Sequence, residues 1–174
     1  NIFGLDICSF SIERTKILLT LLALSNGEDQ KQFEFNLFVG NTLNFDWQEH
    51  CTQFSGFDLI VGNPPYVEYS ENKSEYKING FETDKCRNLY GYVIERSYHI
   101  LNPLGLLGMI IPISAFSNSS MLTLQKFFKK FPLTYISSFH QRPAALFEGV
   151  LQRLSIFISR KIADERIVYS TMVY

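Results

Sequence analysis

A chain of 174 residues that is 46% hydrophobic, 15% aromatic and 19% charged has enough apolar surface to offset the entropy of ordering, which excludes disorder. The longest apolar run, residues 101–113, holds two prolines, two glycines and an asparagine, so no membrane-spanning segment is expected. The net charge of −1 hides an asymmetry, with 8 basic against 14 acidic residues in 1–100 and 8 against 3 in 101–174.

Residues 2–7 form a short apolar strand around Asp6. Ser11 then reads as a helix cap, with Ile12, Leu18, Leu19, Leu22 and Ala23 on one face and Asn26-Gly27 as the stop. Residues 33–39 alternate as a second strand. Residues 57–62, Phe-Asp-Leu-Ile-Val-Gly, are mostly continuous in apolar character, as expected of a strand buried on both faces. Residues 66–88 are polar, aperiodic and long for a loop in a compact domain, which points to a functional segment. Leu89, Val93, Tyr98 and Leu101 are spaced as a helix that Asn102-Pro103 ends. Residues 106–111 form another buried strand, and Ser119 or Ser120 caps a helix running to about Phe131 before Pro132. Residues 135–139 and 151–160 are two further strands, too close in sequence for a crossover helix between them. The alternation of strands and helices implies a mostly parallel α/β sheet with helices on both faces and an antiparallel pair at one edge.

Cys8, Cys51 and Cys86 are 43 and 35 residues apart, which suits neither a disulfide framework nor a metal ligand set. The first apolar stretch is not expected to be a signal peptide, because no basic head precedes it and Asp6 interrupts it. A cytoplasmic protein with reduced thiols is expected. Lys126, Lys129, Lys130, Arg142, Arg153, Arg160 and Lys161 make the C-terminal part basic, as a polyanion-binding face or as solvated helix and strand ends.

The chemistry concentrates at Asn63-Pro64-Pro65-Tyr66, directly after the strand at 57–62. Parallel α/β sheets bind ligands beyond the carboxyl ends of their strands. Neither proline has an N–H, so the turn is rigid and its carbonyls are free to meet a ligand. Asn63 adds a side-chain carbonyl and Tyr66 an aromatic face. Together they suit an exocyclic amine on a planar ring, which donates to the Asn63 side chain and the Pro64 carbonyl while Tyr66 stacks. The alternative is a structural turn that caps the strand.

The run from Asp58 to Tyr66 resembles the catalytic motif of S-adenosylmethionine-dependent adenine-N6 DNA methyltransferases, in the gamma order found in type II restriction–modification systems. The resemblance implies a Rossmann-like methyltransferase sheet, S-adenosyl-L-methionine as cofactor and double-stranded DNA as partner. It makes Asn63, Pro64, Pro65 and Tyr66 the catalytic residues. Residues 2–7 are similar to the family's second strand, whose terminal acid binds the cofactor ribose, a role carried to Asp6 with Ile7 beside it. Residues 38–43 resemble the segment that meets the cofactor adenine, with Asn41 standing where an aspartate is usual and Thr42 next to it. Arg87-Asn88-Leu89-Tyr90-Gly91 opens the helix that closes over cofactor and base, which implies substrate contacts for Asn88 and Tyr90. Residues 145–150 resemble a later motif whose aromatic residue contacts the flipped base, a role carried to Phe147. No metal is implied.

Nothing in the chain matches the family's glycine-rich cofactor loop, which in gamma order precedes the second strand, and its target recognition domain follows the last motif. The opening Asn1 agrees with a fragment lacking both. Residues 1–162 are then a partial catalytic domain and 163–174 the start of a following segment. Its sheet lacks a central first strand. The strands at 2–7 and 57–62 should either pair directly or form a homodimer through exposed edges, and the isolated fragment should be inactive. Other Asn-Pro-Pro-Tyr methyltransferases modify ribosomal RNA or a release-factor glutamine, and a non-catalytic nucleic-acid-binding module is a further alternative. A nucleotide-dependent oxidoreductase is disfavoured, because no Gly-x-Gly-x-x-Gly occurs.

Overall fold

The computed structural model describes residues 2–30, 32–51, 53–70, 78–140, 145–147 and 151–172. They fall into two units, Asn1–Thr52 and Gln53–Tyr174. The first is a strand–helix–strand unit, with β1 (Phe3–Asp6), α1 (Ser9–Ser25), β2 (Asn36–Val39) and a single turn, α2 (Trp47–His50). β1 and β2 are parallel from Phe3↔Asn36 to Asp6↔Val39, so both strand ends emerge on the same side. Helix α1 starts two residues before the expected cap, because the Asp6 carboxylate accepts the Cys8 N–H at 2.7 Å and organises the turn into the helix. Its end falls as expected, at Asn26 and a left-handed Gly27 (φ 84°). Of the apolar face expected on α1, Ile12 is buried while Leu18 and Leu22 remain exposed. An aromatic group stabilises the strand exit, with Trp47 4.8 Å from Phe45 and edge-on to Phe38.

The second unit carries β3 (Phe57–Gly62), α3 (Leu89–Ile100), β4 (Leu101–Pro112), α4 (Ser114–Ser117), α5 (Leu122–Phe128), β5 (Leu133–Phe139), β6 (Leu154–Arg160) and β7 (Ile167–Ser170). The sheet order is β3-β4-β6-β5-β7, with β6 alone antiparallel to both neighbours. The antiparallel strand expected at an edge therefore sits inside the sheet, between β4 and β5. β7 was not foreseen; it pairs in parallel with β5.

Four other expectations change. β3 is an edge strand whose burial is incomplete, with Leu59 57% and Val61 71% exposed, because β4 is its only partner among the described residues. Its continuous apolar run was not a sign of burial on both faces. β1 pairs with β2 in the first unit and β3 with β4 in the second, so the strands fall in two sheets where one was expected. β4 begins at Leu101 and runs through Pro103, where a helix stop was expected. A register shift between Phe57↔Leu101 and Leu59↔Leu106 accommodates the proline's missing donor, and a Cβ on Gly105 would stand 2.9 Å from the Phe57 carbonyl oxygen. The helix expected from Ser119 or Ser120 to Phe131 starts as a 3-10 turn at Ser119–Met121 and continues as α5 only to Phe128, with α4 a separate turn before it. Asn118 caps that turn by accepting the Ser120 N–H.

The helices of this unit lie on one face only. The steps β3 to β4 and β4 to β5 proceed in the same direction across the sheet, so right-handed crossovers bring α3 and α5 to the same side. There Tyr90, Ile94, Leu124, Phe127 and Phe131 pack on Leu107, Met109, Ile111 and Phe157. Two hydroxyl pairs bridge β5 and β6, Thr134–Ser159 at 2.9 Å and Ser138–Ser155 at 2.8 Å, and satisfy polar groups that burial would otherwise penalise. On the opposite face one register line, Val61, Gly108, Ile158, Tyr135 and Tyr169, crosses all five strands. Its large side chains are 45–71% exposed.

The cysteines report on this architecture. Cys8 is exposed at the start of α1, and hydrogen bonds from Ser11 and Phe10 lower its thiol pKa, so more thiolate is present at a given pH. Cys86 is buried against α3, and desolvation, with Asn88 opposing and Glu95 and Asp84 adding to it, raises its pKa. Iodoacetamide at pH 8 should therefore label Cys8 well ahead of Cys86, which should react only on unfolding. Peptide mass mapping over a time course checks the order.

Candidate active site

Asn63 follows the last residue of β3 and is exposed beyond the carboxyl end of the sheet. Pro64 is buried and Pro65 exposed, so the turn is anchored on one side and open on the other. The β3–β4 ladder ends at Gly62↔Met109, and the Tyr66 hydroxyl takes up the next β4 carbonyl, that of Ile110, at 3.0 Å. The same hydroxyl lies 2.5 Å from Asn63 Oδ1. The Tyr66 ring is half-buried, edge-on to Tyr90 at 6.3 Å. Desolvation raises the pKa of both phenols, that of Tyr90 to about 12. Both are protonated donors at neutral pH.

The segment after the motif is tied to α3. Its two limbs meet where Leu89 N–H donates to Val67 O, Tyr69 N–H donates to Arg87 O, and Glu68 pairs with Asn88. Arg87 turns the chain in the left-handed region (φ 46°) just before the helix. Tyr90 thereby lies edge-on to Tyr66, and Asn88 pairs with Glu68, two residues beyond it. The Asn88 carbonyl accepts the Gly91 N–H, whereas its buried side-chain Oδ1 has no hydrogen-bond partner among the described residues. An acceptor in that position is open to a donor that arrives with a ligand. Tyr90 is buried and donates to Met121 Sδ at 3.2 Å, so it supports the Tyr66 ring from the core.

Glu95 was not among the residues singled out from sequence. Its side chain is 3% exposed and accepts from Glu82 N–H at 2.8 Å, Thr83 N–H at 2.9 Å and the Thr83 hydroxyl at 2.8 Å. Glu82 in turn pairs with Lys130. Glu82, Glu95 and His99 can bring three ligand atoms within 4.8 Å. The Glu95 oxygens are already committed to three donors and Glu82 to a lysine, so this group is a hydrogen-bonded clamp. No local pattern marks Glu95, because α3 also buries Ser97 and two tyrosines.

The residues assigned to the cofactor lie in the first unit. Asp6 ends β1, is exposed, and commits one carboxylate oxygen to Cys8 N–H, which leaves acceptor capacity for a pair of hydroxyls. Gly40 N–H donates to Asp6 O and sets the β2 exit beside it. Asn41 Oδ1 accepts the Leu43 N–H at 3.0 Å, so its amide NH2 is the group left to meet a ring nitrogen. Ile7 is exposed and Thr42 half-buried next to these two. The donors and acceptors fit a ribose and an adenine edge. Phe147 is 41% exposed. Residues 141–144 and 148–150 lie outside the described residues, so the remainder of its motif is not placed.

Parallel strands with one antiparallel member, and a turn at the carboxyl end of β3, give the chain a Rossmann-like fold that solved structures share. In the nuclease-deletion mutant of the Type ISP restriction–modification enzyme LlaGI, solved with a DNA substrate mimic, 18% of the chain matches 97% of this one, with a TM-score of 0.74 and 18% identity. A Listeria monocytogenes protein described as a class I S-adenosylmethionine-dependent methyltransferase matches 97% of this chain over 48% of its own, with a TM-score of 0.58 and 19% identity. The profile of the Eco57I restriction-modification methylases matches residues 1–144, and the chain belongs to that family. It is also 31% identical over 100 residues to the type II methyltransferase M.BstVI of Geobacillus stearothermophilus, covering 55% of this chain and 18% of that protein. The chain thus spans less than a fifth of that curated relative.

Replacing Glu95 by alanine strands two backbone N–H groups and a hydroxyl in a buried site, at a cost of about 3 kcal/mol. Urea denaturation should show that loss, and hydrogen exchange should show faster exchange at residues 82 and 83 than in β4.

Proposed function

We propose that this chain supplies catalytic residues for methyl transfer to the N6 amine of adenine in double-stranded DNA, within a restriction–modification enzyme. The observation that carries this reading is the exposed Asn63 at the end of β3, with Tyr66 fixed beside it on the β4 backbone. Membership of a restriction–modification methylase family supports it, as does the likeness in fold to an enzyme solved with a DNA substrate mimic.

Adenine N6 is paired inside a duplex, so the base has to be extruded at a cost of a few kcal/mol. Stacking on Tyr66 repays part of that cost. The amine donates to Asn63 Oδ1 and to the Pro64 carbonyl, and the two acceptors draw electron density onto nitrogen and aim its lone pair. The prolines contribute no competing N–H at this point. S-adenosyl-L-methionine supplies the methyl group on a sulfonium. Asp6, with Ile7, holds the ribose hydroxyls, and Asn41, with Thr42, meets the adenine edge of the cofactor. Asn88 offers its side-chain oxygen to the same site, Tyr90 backs the Tyr66 ring, and Phe147 contacts the base from the side opposite or edge-on to Tyr66. No described helix is long and apolar enough to cross a membrane, and a cytoplasmic location suits a DNA-modifying enzyme.

Catalysis here is positioning and polarisation, so loss of Asn63 is the decisive change. In the full-length enzyme Asn63→Ala should lower kcat at least about 100-fold. Incorporation of labelled methyl groups into duplex DNA, followed by nucleoside mass spectrometry, measures the rate and the modified base. A wild-type rate, or methylation of a base other than adenine, refutes the reading.

A further inference from the structure

The Tyr66 hydroxyl has two oxygen neighbours, Asn63 Oδ1 at 2.5 Å and the Ile110 carbonyl at 3.0 Å. Both are acceptors, and a phenol has a single proton to give. With the carboxamide of Asn63 turned this way, Tyr66 divides one proton between them. Asn63 also commits a lone pair of Oδ1 to Tyr66, and its NH2 group is then left to face an arriving amine. That pairing is donor against donor.

Half a turn of the Asn63 carboxamide exchanges Oδ1 and Nδ2 with little movement of heavy atoms. Every group is then satisfied in one direction. Asn63 Nδ2 donates to the Tyr66 hydroxyl oxygen, and the Tyr66 proton goes to Ile110 O. Asn63 Oδ1 points away from Tyr66 with both lone pairs open. The Ile110 carbonyl can only accept, and the strand fixes its position, so it fixes the direction of the whole chain of hydrogen bonds. Partial burial raises the Tyr66 pKa and keeps the hydroxyl protonated for this purpose.

We infer that the Tyr66 hydroxyl, anchored on the Ile110 carbonyl, is a positioning group that selects the Asn63 carboxamide orientation presenting Oδ1 to the target amine. This deepens the function proposed above and rests on it. The ring of Tyr66 stacks on the substrate; its hydroxyl acts through Asn63. Ile110 takes part through its backbone alone, so its side chain carries no information about the role.

The test is a double-mutant cycle in the full-length enzyme, with Tyr66→Phe, Asn63→Ala and the pair, read by single-turnover methylation of duplex DNA. Tyr66→Phe keeps the ring and removes the hydroxyl. It should lower the methylation rate about tenfold with the KM for DNA unchanged. In the Asn63→Ala background the same substitution should change the residual rate less than about twofold, because its effect passes through the missing side chain. A wild-type rate for Tyr66→Phe overturns the inference. So does an undiminished tenfold loss in the Asn63→Ala background, or a raised KM with an unchanged rate, either of which marks a hydroxyl that only braces the loop. If Asn63→Ala alone methylates at the wild-type rate, the underlying function fails first and is identified by that arm.

Discussion

Glu95 buries the one charged side chain among the buried residues of the described chain, and residues 82 and 83, ahead of α3, are placed to satisfy it. A buried acid is tolerated only when donors surround it, and here they are the backbone and hydroxyl of residues 82 and 83. The returning limb of a long polar segment is thereby fixed to the middle of α3. From that anchor the chain needs only the 3-10 turn at Asp84–Cys86 and the left-handed Arg87 to deliver Asn88 next to the outgoing limb at Glu68. Tyr92 strengthens the attachment by donating to Asp84 O. The site therefore inherits its geometry from a polar contact several residues away in sequence and on the helix side of the core.

Helix α3 is held at its other end too. Lys161 donates to Leu101 O at 2.8 Å and lies over the Tyr98 ring, so a residue just beyond β6 stabilises the carboxyl end of the helix. The helix that carries Asn88 and Tyr90 at its start is thus braced by an acid at its middle and a base at its end. Such bracing favours a preorganised site, in which the reacting groups need little rearrangement.

The element types were largely readable from residue patterns, and the errors have particular causes. Periodicity found α3, and a strand-ending acid found Asp6. The buried character of β3 was misjudged because an apolar run reports what a strand could bury, not whether a neighbour is present to cover it. Pro103 misled in the opposite direction, since a bulge can admit a proline where an unbroken ladder cannot. Of the candidate site, Asn63, Tyr66, Asn88 and Tyr90 were legible through the family resemblance, and the structure sets Tyr66 against Asn63 and Tyr90. Glu95 and the Ile110 carbonyl were not. One acts through backbone groups distant in sequence and the other is itself backbone, and neither leaves a local signature.

The place of β6 bears on how the chain is made. β4 gains its second neighbour only from β6, while β5, synthesised earlier, pairs with β6 and not with β4. On the ribosome, β3, the Asn-Pro-Pro-Tyr turn, α3 and β4 all emerge while the inner edge of β4 is still bare. Leu107, Met109 and Ile111 then sit in a strand waiting for a late partner, a long-range closure that is slow and open to mispairing. The candidate site residues on β3 and α3 are translated early, but their support is complete only when the C-terminal strands arrive.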